Sequence, residues 1–127
     1  MALLVPDEGE AAMLELILAE DTGLRLYTND KTPAEGDGTA DYTEASEAGY
    51  SAATLTGGSW TVATDTGTTS GTYAQQDFEF TEAATVYGYF VTDSAGTTLL
   101  WAERFGTTAV LGSGGGTISV NPSIELA

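Results

Sequence analysis

Thr85-Val86-Tyr87-Gly88-Tyr89-Phe90-Val91, followed across Asp93-Ser94-Ala95-Gly96 by Leu99-Leu100-Trp101-Ala102-Glu103-Arg104-Phe105, is the stretch that decides the fold class. The first run is apolar on both sides of a strand, with Val86 and Phe90 on one face and Tyr87, Tyr89 and Val91 on the other. That pattern fits a central strand covered on both faces. Gly88 in its middle signals a bulge or a close approach by another group. The second run alternates Leu99, Trp101 and Phe105 with Leu100, Ala102 and Arg104, and the Asp-Ser-Ala-Gly link predicts a hairpin.

Shorter runs of the same kind lie on either side. Leu24, Leu26 and Thr28 alternate with Arg25 and Tyr27; Trp60, Val62 and Thr64 with Thr61 and Ala63; Phe78 and Phe80 with Asp77, Glu79 and Thr81. Ile118 with Val120, then Ile124 with Leu126, predict a last strand or two interrupted at Pro122. One helix is predicted over about residues 7–20. Pro6 and Asp7 open it, Glu8 and Glu10 favour its positive end, and Gly23 stops it. Met13/Ile17 and Leu14/Leu18, with Leu16, form a broad apolar stripe, while Glu10, Glu15 and Glu20 are expected to face elsewhere. That stripe either caps an open face or edge of the β core or docks on a neighbouring subunit. The expected fold is mainly β: an antiparallel β-sandwich or jelly-roll-like barrel with one N-terminal amphipathic helix. Residues 1–127 read as a single domain with an N-terminal arm and helix over about 1–22, and no internal repeat is visible. Residues 31–50 and the Gly/Ser run 112–116 are expected to be mobile.

Charge narrows the partners. The 127 residues carry 19 acidic and three basic side chains, a net charge of −16. Such a chain has no Lys/Arg cluster to displace counterions from nucleic acid and is repelled by anionic membranes. No apolar run approaches membrane-spanning length, and Met1 to Glu10 lacks the basic region of a signal peptide. With no cysteine and no histidine, thiolate chemistry, Cys-based zinc sites and the commonest general base are excluded. The chain is therefore not expected to be an enzyme, and no cofactor or metal is expected. Asp77 and Glu79 share one face of a strand, an arrangement open to paired glycosidase carboxylates, but the spacing equally suits a solvated strand face. Asp30, Glu35, Asp37, Asp41 and Glu44 crowd one loop that would interest calcium, although their spacing is not that of a helix-loop-helix site. Glu103 and Arg104 point to opposite faces, so Arg104 is expected to meet a carboxylate on another strand or on a partner. Trp60, Phe78, Phe80, Phe90 and Trp101 read as core. Tyr27, Tyr87 and Tyr89 read either as covered residues or as subunit contacts.

Leu3-Leu4-Val5-Pro6-Asp7-Glu8-Gly9-Glu10 at the start resembles small structural proteins of tailed bacteriophages. So do Leu24-Arg25-Leu26-Tyr27-Thr28-Asn29-Asp30, the run Val86 to Asp93 with Leu99 to Phe105, and the closing Ile118-Ser119-Val120-Asn121-Pro122. The resemblance spans nearly the whole chain. It implies a virion component: a head decoration (cement) protein that binds the major capsid protein on the outer surface of the assembled head, or a tail, collar or head-fibre component. Decoration proteins of this kind are β-rich and often trimeric, so a homo-oligomer, with a trimer favoured, is expected on the capsid surface. Leu3, Leu4, Val5, Pro6, Arg25 and Arg104 are the candidate capsid contacts, and Tyr87 and Tyr89 the candidate oligomer contacts. A carbohydrate-binding or calcium-dependent adhesive module is the alternative from a different class.

Overall fold

The computed structural model describes residues 3–126. In chain order its elements are helix α1 (Asp7–Leu18) and strands β1 (Thr22–Tyr27), β2 (Ala53–Leu55), β3 (Thr61–Asp65), β4 (Thr68–Thr72), β5 (Gln76–Phe80), β6 (Ala84–Asp93), β7 (Leu99–Leu111), β8 (Gly116–Val120) and β9 (Ser123–Leu126). Every strand pairing is antiparallel. The sheets run β2-β1-β6-β7, β3-β4-β9 and β5-β8. None closes into a barrel among the described residues, so the fold is mainly β and sandwich-like. Its main core draws Leu14 and Leu18 from α1, Leu24 and Leu26 from β1, Phe78 and Phe80 from β5, and Ile118 and Val120 from β8 onto Val86, Tyr89 and Val91 of β6.

Strand β6 lies between β1 and β7 and is covered on both faces, as its sequence predicts. The division of its side chains differs from the expected one. Val86, Tyr89 and Val91 enter the main core, whereas Tyr87 and Phe90 join a second cluster around Tyr27 and Tyr42. The cause is a bulge between Val86 and Gly88. Val86 pairs with Ala109 and Gly88 with Arg104, so Tyr87 on one strand faces residues 105–108 on the other. An irregularity of this kind breaks the two-residue alternation. The absent side chain at Gly88 is also required: a methyl there would overlap the Glu103 carbonyl oxygen and come 2.6 Å from the Tyr27 hydroxyl.

The second face of this sheet is roofed by the segment between β1 and β2, which is tied down rather than loose. Tyr42 sits edge-on to Tyr27 at 4.9 Å between ring centres and stacks on Phe90 at 5.3 Å. The Tyr27 hydroxyl donates to the Lys31 carbonyl (2.9 Å), and Asn29 donates to the Asp41 carbonyl while accepting from the Thr43 amide. Residues 112–116 likewise form a tight turn into β8, closed by Gly115 N–H to the Gly112 carbonyl, in place of the expected hinge. The hairpin at Asp93–Gly96 forms as expected. The Asp93 carboxylate accepts the Thr97 and Thr98 amides, and Gly96 takes a positive φ of 77°.

Strands β2 and β4 carry no sequence signal. The residues of β4, Thr68-Thr69-Ser70-Gly71-Thr72, offer no apolar alternation. The strand is set instead by its neighbours and by the two-residue turn Thr66-Gly67, both at positive φ, a geometry matched to hairpin twist. Helix α1 lies on β3 and β4. Its C-terminal end is held by Gly58 N–H donating to the Leu18 carbonyl (3.0 Å) and by Gly57 N–H donating to the Asp21 carboxylate (2.8 Å). These contacts end the helix two residues before the expected position 20.

Candidate binding surface

The apolar stripe of α1 is wider than the groove that receives it. Glu10, Leu14 and Leu18, at i, i+4 and i+8, face the sheet. Leu18 and Leu14 close over Gly71 of β4, where a methyl would come 2.6 Å from the Leu18 Cδ1. Met13, Leu16 and Ile17 are left outside, 57%, 75% and 43% exposed. The N-terminal arm continues this surface: Val5 turns back to the helix beside Gly9, while Leu3 and Leu4 are 94% and 82% exposed. The arm and α1 thus leave five large apolar side chains exposed on a chain that carries 19 acidic residues.

Between the arm, α1 and the end of β9 lies an open cleft of about 780 Å³, walled by Leu3, Leu4, Val5, Pro6, Met13 and Leu126. Asp7 and Glu10 also line it. Glu10 was expected on the polar face of the helix. It is instead only 7% exposed, and its Oε2 is buried with no hydrogen-bond partner among the described residues. The 10-14-18 spacing, which puts Glu10 above the two core leucines, is the signal that would have located it.

The arginines singled out from sequence are engaged within the chain. Arg25 pairs with Glu44 at 2.9 Å and also reaches the Thr92 hydroxyl. Arg104 pairs with Asp30 at 2.7 Å, a carboxylate in the loop after β1 and not on another strand, and lies over the Tyr87 ring at 5.3 Å. Lys31 pairs with Asp37 at 2.8 Å. The two tyrosines proposed as one outward pair are parted by the bulge. Tyr87 is half-buried under Arg104, and Tyr89 points into the core beside Phe105, its hydroxyl donating to the Ser123 carbonyl (3.4 Å). Burial, reinforced by the nearby Glu103 charge, pushes the Tyr89 hydroxyl up to about 12. Tyr89 therefore presents no surface to a second subunit.

Four of the five carboxylates of the acidic loop, Asp30, Asp37, Asp41 and Glu44, are bonded within the chain. Asp37 accepts from the Lys31 ammonium, the Ala34 amide and the Tyr42 hydroxyl, and these bonds, the lysine's first, hold it below the usual carboxylate range. Asp41 accepts the Gly38 amide, and Glu44 is shared between Arg25 and the Tyr50 hydroxyl. Among the described residues, no three acidic side chains converge as metal ligands would. Asp77 and Glu79 lie on the exposed face of β5, where Asp77 accepts from Ser119 (2.6 Å) and Gln75 (2.9 Å). No helix among the described residues is long and apolar enough to cross a membrane. No protein-family model matches the chain, and neither the curated proteins nor the solved structures contain a match to it.

Proposed function

We propose that this protein is a structural component of a tailed-phage virion, a decoration protein that binds the major capsid protein on the outer surface of the assembled head and stabilises the shell. The observation that carries this reading is the group of large apolar side chains on the arm and the outer face of α1, Leu3, Leu4, Met13, Leu16 and Ile17, which are left exposed among the described residues. An exposed patch of this kind on an otherwise charged surface marks a macromolecular contact. Covering a leucine or methionine fully contributes about 1.5–3 kcal/mol, so a few such residues supply a useful gross contribution before the cost of association. The resemblance of the arm, β1, β6 and β7 to small phage structural proteins points to the same setting.

The mechanism is binding alone. A ligand that engages only the assembled shell stabilises it by mass action, and many copies multiply the effect. Arm residues Leu3 to Pro6 and helix residues Met13, Leu16 and Ile17 make the contact in this scheme. Arg25 and Arg104 hold the loop over β6 instead of reaching outward. Quantitative mass spectrometry of purified virions tests the reading. A copy number comparable to that of the capsid protein is expected. A few copies per virion would move the protein to the tail or a fibre, and absence from virions would overturn the proposal.

A further inference from the structure

Resting on that reading, we propose that the cleft between the N-terminal arm and the first turns of α1 is the receptor for a lysine or arginine side chain of the capsid partner. The aliphatic stem lies against Leu4, Met13 and Leu126, and the cationic head meets Glu10. A carboxylate that is nine-tenths buried, with one oxygen unbonded among the described residues, is costly to keep, and a cation from outside relieves that cost. The apolar walls match the methylene stem of a long basic side chain, which buries its stem and directs its charge to a polar group. Among the described residues, the three basic side chains Arg25, Lys31 and Arg104 are committed to Glu44, Asp37 and Asp30. A second copy would have to break one of those pairs, against the repulsion of two chains of charge −16. Charge complementarity favours a basic group on a different protein as the occupant, drawn in by the acidic surface.

The test uses the full chain and Glu10→Gln, which keeps the side-chain shape. The first arm titrates n-butylguanidinium, with butan-1-ol as the uncharged control, and follows the Met13 and Leu126 methyl groups by NMR. Saturable shifts with the cation, weakened about tenfold or more in Glu10→Gln, are expected. Equal shifts in the variant, or equal shifts with the alcohol, would overturn the receptor. The second arm measures binding to assembled heads and the melting temperature of the free protein. Glu10→Gln is expected to bind heads about tenfold more weakly and to melt at the same or a higher temperature, because an uncompensated buried charge has been removed. A lower melting temperature would show Glu10 already paired within the chain and would overturn the inference. Head binding by the parent protein that the variant retains in full would remove the receptor and leave decoration standing. A cation response without head binding would remove decoration and keep the receptor for another basic partner. Self-association abolished by Glu10→Gln would replace the foreign partner with a second copy and overturn the proposal.

Discussion

Gly88→Ala probes the junction where β1, β6 and β7 meet. The added methyl would overlap the Glu103 carbonyl oxygen on β7 and stand 2.6 and 2.7 Å from the Tyr27 hydroxyl and Cε1. Tyr27 has nowhere to retreat. It is fully buried, its hydroxyl donates to the Lys31 carbonyl at 2.9 Å, and its ring is held edge-on by Tyr42. Overpacking a tight site costs about 1–3 kcal/mol, and displacing a buried hydrogen bond costs roughly 1 kcal/mol more. The expected loss is therefore about 2–4 kcal/mol. For a chain of this length each 1 kcal/mol lowers the melting temperature by roughly 4 °C, so the variant should melt about 8–16 °C below the parent. Chemical denaturation followed by tryptophan fluorescence, alongside calorimetry, measures the loss. Tyr27→Phe in the Gly88→Ala background removes one of the overlapping atoms and should restore part of it, with a coupling of about 0.5–1 kcal/mol in the double-mutant cycle. Gly106→Ala, where an added methyl meets nothing within 4 Å, is the control and should change stability by less than about 0.5 kcal/mol. A Gly88→Ala protein as stable as that control would refute the close approach of Tyr27 to Gly88.

Three further outcomes are expected. Leu14→Ala should destabilise the protein by about 2–5 kcal/mol, since Leu14 is buried on β4, whereas Leu16→Asp, on the exposed side of the same helix, should stay within about 0.5 kcal/mol of the parent and lose head binding; melting curves and co-sedimentation read the two effects separately. Tyr27, Tyr42, Tyr50 and Tyr89 are all raised above the ordinary tyrosine value, burial being the largest cause. The unfolded chain therefore gives up these protons first, so their contribution is complete below about pH 10 and is lost as pH rises beyond it. Absorbance at tyrosinate wavelengths should show these four ionising only as the protein unfolds, and their free titration near pH 10 in the folded protein would contradict the packing. Calcium or a chelator should leave the melting temperature unchanged, because Asp37, Asp41 and Glu44 already accept from Lys31, Gly38 and Arg25; a calcium-dependent rise would revive an ion site in the loop.

The sequence is most legible where burial imposes a strict period. The doubly covered β6, the Asp93–Gly96 hairpin and the inward Phe78 and Phe80 follow directly from pattern, and Gly88 announces its close approach. What fails is phase. One bulge at residues 86–88 moves Tyr87 and Tyr89 to opposite faces, and a bulge leaves no mark in hydropathy beyond the glycine itself. Helix α1 is legible as a helix, but which part of its apolar stripe turns inward depends on the narrow groove over Gly71, which belongs to a strand too polar to be read. The same ambiguity hid Glu10. Its acidic character argued for solvent, whereas its position one turn before Leu14 places it in the buried row. The order of residues 31–50 was hidden for a related reason: composition suggests a mobile loop, and only the fold brings Asp30, Asp37 and Tyr42 to Arg104, Lys31 and Phe90.

Co-sedimentation of the purified full chain with assembled heads, against unassembled capsid subunits, tests the central claim most directly. Saturable binding to heads, weak or absent binding to free subunits, and loss of binding on Leu4→Asp or Leu16→Asp with the melting temperature unchanged are the expected results. No binding to heads, or binding unaffected by charges placed in the arm and on the outer face of α1, would contradict the account.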